Sequence, residues 1–149
     1  MIYNREMTAT VYIVHNSKVL LHLHKKYNTW FPVGGHIEAH ELPDEAAVRE
    51  AEEESGFKVE LYDNSDDTNL TIVKCLPVPE QIYVENLGKP NENIDFIYAA
   101  KIISGSLCPG SNESTVFRWF SKDDIYNDET VKPHIKNTAL AILKKYCKK

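Results

Sequence analysis

Cysteine is scarce in this chain and carries no pattern. Cys75, Cys108 and Cys147 are far apart, odd in number and never in a CxxC pair. Neither a disulfide framework nor a zinc knuckle is expected, and the thiols read as buried or idle. A run of roughly 20 apolar residues, the length that spans a bilayer, is also missing, and the opening MIYNREMTATVYIV lacks the pattern of a cleavable signal. A cytoplasmic protein with no membrane partner is the expectation. Basic residues are outnumbered: 17 Lys and Arg face 22 Asp and Glu, a net charge of -5. That balance offers long RNA no broad positive surface, so RNA is the least expected partner. Repeats, linkers and low-complexity tracts are absent as well. What is present is 149 residues with 42% hydrophobic side chains. That is enough for one continuous core and too apolar for a disordered chain, so residues 1–149 read as a single domain.

Local patterns alternate between strand and helix. Thr8 to Val14 is β-branched and aromatic, Asn16-Ser17 is a turn, and Lys18 to Leu23 resumes the alternation, which predicts a hairpin. Within KVLLHLHKK, Leu21 and Leu23 would face one way and His22 and His24 the other. Two histidines at that spacing could hold a metal, but a half-solvated strand face is the plainer reading. In KYNTWFPVGG, Pro32 and Gly34-Gly35 predict a strand leaving the sheet into a tight loop. Farther on, FKVELYD predicts a strand, DNSDDTN a polar turn, and LTIVKCLPV another strand closed by Pro77 and Pro79. EQIYVENL and IDFIYAAKII, joined by Gly88 to Asn91, predict a second hairpin, and VFRWF a last strand. Ser121 caps a short helix around KDDIY, and Pro133 opens an amphipathic final helix with Ile135, Ala139, Ile142 and Leu143 inward. Helices covering a mixed β-sheet make an α/β chain, a three-layer α/β/α sandwich.

Residues 34–57, GGHIEAHELPDEAAVREAEEESGF, crowd acidic side chains between glycines. Pro43 suits a first helical position, Asp44 and Glu45 suit the positive end of the helix dipole, and Gly56 marks the stop. Ala47, Val48, Ala51 and Ser55 give a small-residue face that can sit close against a sheet. Glu50, Glu53 and Glu54 fall three or four apart on another face, where like charges cost about 0.2–0.5 kcal/mol per pair. Arg49 can reach Glu52 or Glu53, but one guanidinium cannot neutralise four neighbouring glutamates. A hard divalent cation, Mg2+ or Mn2+, prefers such carboxylate, carbonyl and water oxygens. The plain alternative is a solvated acidic helix face.

The spacing favours the metal. This stretch resembles the Nudix box, the signature of the Nudix hydrolase family, of pattern G-x5-E-x7-R-E-U-x-E-E-x-G-U with U apolar. Gly35, Glu41, Arg49, Glu50, Ala51, Glu53, Glu54, Gly56 and Phe57 meet its fixed positions. The WFPVGG approach, the later TVFRWFSKDDI segment and the terminal helix resemble the family's layout across most of the chain, which implies the Nudix form of the α/β/α sandwich. The resemblance implies hydrolysis of a nucleoside diphosphate linked to another group, by attack of a metal-activated water at phosphorus. It makes Glu53 and Glu54 the principal ligands and Glu50 a further ligand or the acceptor of the water's proton. The carbonyl of Gly34 or Gly35 would reach the ion where a side chain would intrude, and Arg49 would orient a glutamate. Glu41 would anchor the loop or join the cluster through water. Where many family members carry glycine before that glutamate this chain has His40, and Leu42 replaces the customary small polar cap, so a left-handed turn at His40 becomes the expectation to check.

Beyond the box, family members often recruit one more acid from a loop. Glu113, in PGSNESTVFRW, is the first candidate and Asp95, in ENIDFIYAA, the second. His36 and Lys25 are candidate phosphate contacts, and Trp30, Tyr83 and Phe96 candidate stacking partners for a base, with core packing the alternative. The expected partner is a small nucleotide diphosphate derivative: a nucleotide sugar, a nucleoside triphosphate or a dinucleoside polyphosphate. A monomer or homodimer is expected, with the N-terminal strand available to pair across a dimer. Two other classes stay open, a nucleotide-binding module without turnover and an acidic domain that meets a basic protein.

Overall fold

The hairpin turn sets the fold's first register. In a computed structural model, which describes residues 2–24, 27–63, 65, 69, 70, 72–108, 110 and 116–147, Asn16 and Ser17 adopt φ of 49° and 60°. Such left-handed pairs give the tight turn whose twist matches two antiparallel strands. It joins strand β1 (Asn4–His15) to β2 (Lys18–His24), with Val14 opposite Val19. Two short strands follow, β3 (Thr29–Phe31) on β2 and β4 (Val33–His36) on β1. Helix α1 (Pro43–Ser55) leads into β5 (Phe57–Leu61), and β6 (Asn69–Leu70) and β7 (Val73–Lys74) form a separate two-residue ladder. Then come β8 (Gln81–Asn86), the long β9 (Asn91–Gly105), β10 (Phe117–Phe120), α2 (Lys122–Asn127) and α3 (Pro133–Tyr146).

The main sheet runs β10-β2-β1-β9-β5, with β3, β4 and β8 attached to β2, β1 and β9. It is mixed because β1 and β9 are parallel, Asn4 opposite Asn91 through Val14 opposite Lys101, while the other pairs are antiparallel. Both faces are covered. On one, Ala46, Ala47 and Ala51 of α1 pack with Ala9, Val11, Ile13, Val33 and Tyr98. On the other, Ile125 of α2 and Ile135, Ala139, Ile142 and Leu143 of α3 pack with Tyr12, Val14, Leu21 and Phe120. The expected three-layer α/β/α sandwich is what forms. Among the described residues no helix is long and apolar enough to cross a membrane.

Several expectations are corrected. Gly34 and Gly35 do not leave the sheet; they lie within β4, paired with Thr10 and Ala9 of β1. The N-terminal strand is central, flanked by β9 along Asn4–Val14 and on its other side by β4 at Thr8–Val11 and β2 at Val14–His15. The two histidines of β2 differ: His22 is buried beside Phe117, while His24 is half-buried and packs on Tyr27 and Phe31. In LTIVKCLPV the chain turns back on itself, Leu70 facing Val73, instead of running on as one strand. Cys75 and Cys108 are exposed thiols, not buried ones. Positive φ at described non-glycine residues occurs only at Asn16, Ser17 and Asn28, so His40 takes no left-handed turn.

Candidate active site

Helix α1 is held at both ends. Its first residue is Pro43, and Glu45 Oε1 accepts the Leu42 N–H at 2.9 Å, the half of a capping box that does not need a polar side chain at the cap. At the far end Gly56 adopts φ of 85° and donates to the Glu52 carbonyl, a left-handed cap that suits glycine. Ala46, Ala47 and Ala51 bring the helix close to β1 and β4. A buried carboxylate shares that face: Glu54 is 6% exposed, and its Oε1 accepts the Gly34 N–H at 2.6 Å.

Glycine at 34 and 35 answers to two different approaches. A Cβ at Gly34 would collide with the Ala9 carbonyl oxygen and meet Thr10 Cα at 2.9 Å, because β4 lies tight on β1. A Cβ at Gly35 would sit 2.5 Å from the Glu50 carboxyl carbon. The glycine pair is therefore a floor on which the helix's carboxylates rest.

Arg49 gathers the remaining acids. Its Nε and Nη2 donate to the two oxygens of Glu41 at 2.6 and 2.8 Å, a bidentate fork. Its Nη1 reaches Glu50 Oε1 at 2.9 Å and Glu53 Oε2 at 3.1 Å, and Nη2 also donates to the His36 carbonyl at 3.1 Å. The arginine hydrogen bond, first among the causes, holds the Glu41 carboxyl down at about 2. The same contact raises the Arg49 guanidinium further. Glu41 also accepts the Glu38 N–H at 3.0 Å, so it ties the loop before α1 to the helix. Glu53 remains 59% exposed along its side chain, whereas Glu50 is 16% exposed. The cluster thus runs from a buried carboxylate to a solvated one.

This donor set fits a hard divalent cation. Glu50 and Glu54 lie against the glycine pair and Glu53 joins Glu50 through Arg49, so the side-chain donors gathered here are carboxylate oxygens. Among the described residues no three His, Cys, Asp or Glu side chains close a metal shell by themselves. Mg2+ asks for no such cage, since one or two carboxylates, waters and substrate phosphates complete its octahedron.

A cavity of about 320 Å³ opens on the opposite face of the sheet, between β1, β8, β9 and the start of α3. Thr10 and Asp95 on the adjacent strands β1 and β9 form its floor, Phe31 and Pro32 line it from the β2 side, Tyr83 and Glu85 from β8, and His134 from α3. Thr10 Oγ1 lies 2.9 Å from each Asp95 oxygen. Burial pushes the Asp95 carboxyl up to about 6, against the lowering effect of Thr10 and Thr8.

The sequence candidates are placed as follows. Glu41, Arg49, Glu50 and Glu53 come together, with Glu54 and Gly34-Gly35 alongside. His36 is exposed and pairs with Glu6 at 2.6 Å. Trp30 packs edge-on against Phe120 in the core. Lys25 and Glu113 lie outside the described residues. Tyr83 and Asp95 meet in the cavity, while Phe96 packs on the α1 side. Thr10 and His134 were not foreseen there. The alternation Thr8, Thr10, Tyr12 was the available signal, since it places two hydroxyls and a phenol on one strand face.

Comparison with known proteins agrees with this geometry. The family model described as the NUDIX domain matches residues 4–141. A NUDIX-family hydrolase from Clostridium perfringens is 39% identical, with 95% of this chain and 98% of that one covered and a TM-score of 0.86. At fold level only, a MutT protein from Methanosarcina mazei Go1 aligns at 16% identity over 100% of this chain and 99% of that one, TM-score 0.73. An ADP-ribose pyrophosphatase from Streptococcus suis 89-1591 aligns at 17% identity over 97% and 94%, TM-score 0.59. The chain belongs to the Nudix hydrolase family and is a Nudix pyrophosphohydrolase.

Proposed function

We propose that the protein hydrolyses the diphosphate linkage of a nucleoside diphosphate joined to a further group, with Mg2+ or Mn2+ as its cofactor. The observation that carries the reading is the Glu50 carboxylate resting on Gly35, 2.5 Å from where a Cβ would stand, with Glu54 fixed on Gly34 beside it. Glu53 and Glu54 would hold the ion together with a Gly34 or Gly35 carbonyl. When bound, the ion would supply charge neutralisation at the phosphate oxygens and acidify water.

The chain's own groups do the rest. Arg49 orients Glu50 through Oε1, and Glu50 accepts the proton of the attacking water. The new bond forms at phosphorus as the anhydride P–O bond breaks. Glu41 keeps Arg49 in place through its two short bonds and so acts as a positioning residue. Substrate candidates remain nucleotide sugars, nucleoside triphosphates and dinucleoside polyphosphates.

The test is product release from a panel of those three classes with Mg2+ or Mn2+, for wild type, Glu53→Gln and Glu54→Gln. Turnover of one class, lost in both variants while circular dichroism is unchanged, is the expected result. Saturable nucleotide binding with no turnover of any class would overturn the reading in favour of a binding module.

A further inference from the structure

The cavity on the α3 face is chemically unlike the box. Two carboxylates line it, Asp95 on β9 and Glu85 on β8, so it repels phosphate. The flat walls, Phe31 and Tyr83, approach from opposite sides of β1, and Tyr83 is fixed by a 2.6 Å bond between its hydroxyl and Thr138 of α3. At about 320 Å³ it has the size of a small-molecule site with few polar groups. Thr10 joins it to the box: its Oγ1 meets Asp95, while Thr10 itself pairs with Gly34, whose N–H is held by Glu54.

We propose that this cavity receives the nucleobase and that Asp95 selects a base carrying two adjacent N–H donors, the guanine type of edge. The inference rests on the diphosphate reading above and names the substrate class for the same site. A carboxylate offers about four lone-pair positions on two oxygens. The hydroxyls of Thr10, 2.9 Å from both oxygens, and of Thr8 are two donors and cannot satisfy them all. Guanine presents N1–H and the N2 amine side by side, which matches a carboxylate two bonds for two. Adenine turns a bare N1 acceptor toward the same oxygens and is repelled, and hypoxanthine supplies only one of the two donors. Tyr12, Tyr83, Asn86 and His134 also line the cavity, and of its two carboxylates Glu85 is exposed while Asp95 is half-buried against Thr10, so Asp95 is the paired acceptor that a base inside the cavity meets.

The experiment is calorimetric binding of GMP, IMP, AMP and UMP with Mg2+ present, for wild type, Asp95→Asn, Glu85→Gln and Glu53→Gln. Monophosphates have no anhydride to cleave, so turnover is not needed for the readout. GMP should bind roughly ten- to a hundredfold more tightly than IMP, the range for one hydrogen bond to a charged group, and AMP more weakly still. Asp95→Asn should bring GMP to the IMP level, while Glu85→Gln and Glu53→Gln keep the order. Equal affinities, an order that survives Asp95→Asn, or no binding by any of the four overturns the inference. A preserved GMP preference in a protein that hydrolyses nothing would sink the hydrolase reading and leave the base selection standing.

Discussion

Replacing Asp95 by Asn should make the protein more stable at neutral pH, and the gain should depend on pH in a set way. Asp95 is half-buried on β9, facing Thr8, Thr10 and Tyr12 of β1 and Tyr83 and Glu85 of β8, with His134 of α3 across the cavity. Burial lifts its folded-state pKa from 3.8 to about 6. A carboxyl whose folded pKa is raised binds its proton more tightly folded than unfolded, so stability falls as pH rises from the unfolded value through the folded one. Two units correspond to about 3 kcal/mol at most once the group is fully ionised. Asn keeps the shape and an oxygen for the Thr10 hydroxyl, and it cannot ionise. Urea unfolding of wild type and variant between pH 4 and pH 8 isolates this one group, because every other titration is common to both. The stability difference should move in the variant's favour by about 2 kcal/mol between pH 4 and pH 7 and then level off. A difference that is flat with pH, or that moves the other way, would refute the assignment of a destabilised carboxylate to the cavity floor.

Two glycine variants should separate fold from chemistry. Gly35→Ala displaces the end of a flexible side chain, Glu50, so activity should drop by tenfold or more in kcat while the melting temperature barely moves. Gly34→Ala drives a Cβ into the backbone of Ala9 and Thr10 and should cost roughly 1–3 kcal/mol of stability, read by thermal melting. Arg49→Ala leaves Glu41, only 8% exposed, without its cation, and should destabilise by about 1–3 kcal/mol, less than a fully buried pair because Arg49 is 28% exposed. Since Glu41 is held at about 2, that loss should be full above its usual value of 4.5 and shrink as pH falls toward 2, a trend that melting curves in acid would check.

The helix and its carboxylates were legible because they are local. Pro43, the first-turn acids and Gly56 act within one turn of the element they bound, so α1 ends where the sequence places it. Spacing also brings Glu50 and Glu53 within reach of Arg49. Glu54 shows the limit: it shares the acidic spacing, yet it is buried with the alanines, because β4 supplies a backbone N–H that no local pattern encodes. The same reason explains Gly34 and Gly35, whose composition says loop while their partner β1 says strand. The cavity was illegible altogether. Its floor joins residues 85 positions apart through the parallel pairing of β1 with β9, a long-range choice of register.

That register fixes how far the cavity stands from the carboxylates. Thr10 sits opposite Gly34 on one side and beside Ile97 on the other, so β1 carries the cavity floor and the glycine floor on a single strand. A one-residue slip of β4 would turn Gly34 away from Thr10 and move its N–H from Glu54, and it would bring a side chain toward Glu50 in place of Gly35. The alternation that buries Val33 against Val11 opposes such a slip, because Val33 would have to leave the core. The hydrophobic pairing next to the site thus holds the distance between the cavity and the carboxylates, and a pocket built on rigid strands keeps that distance better than one built on loops.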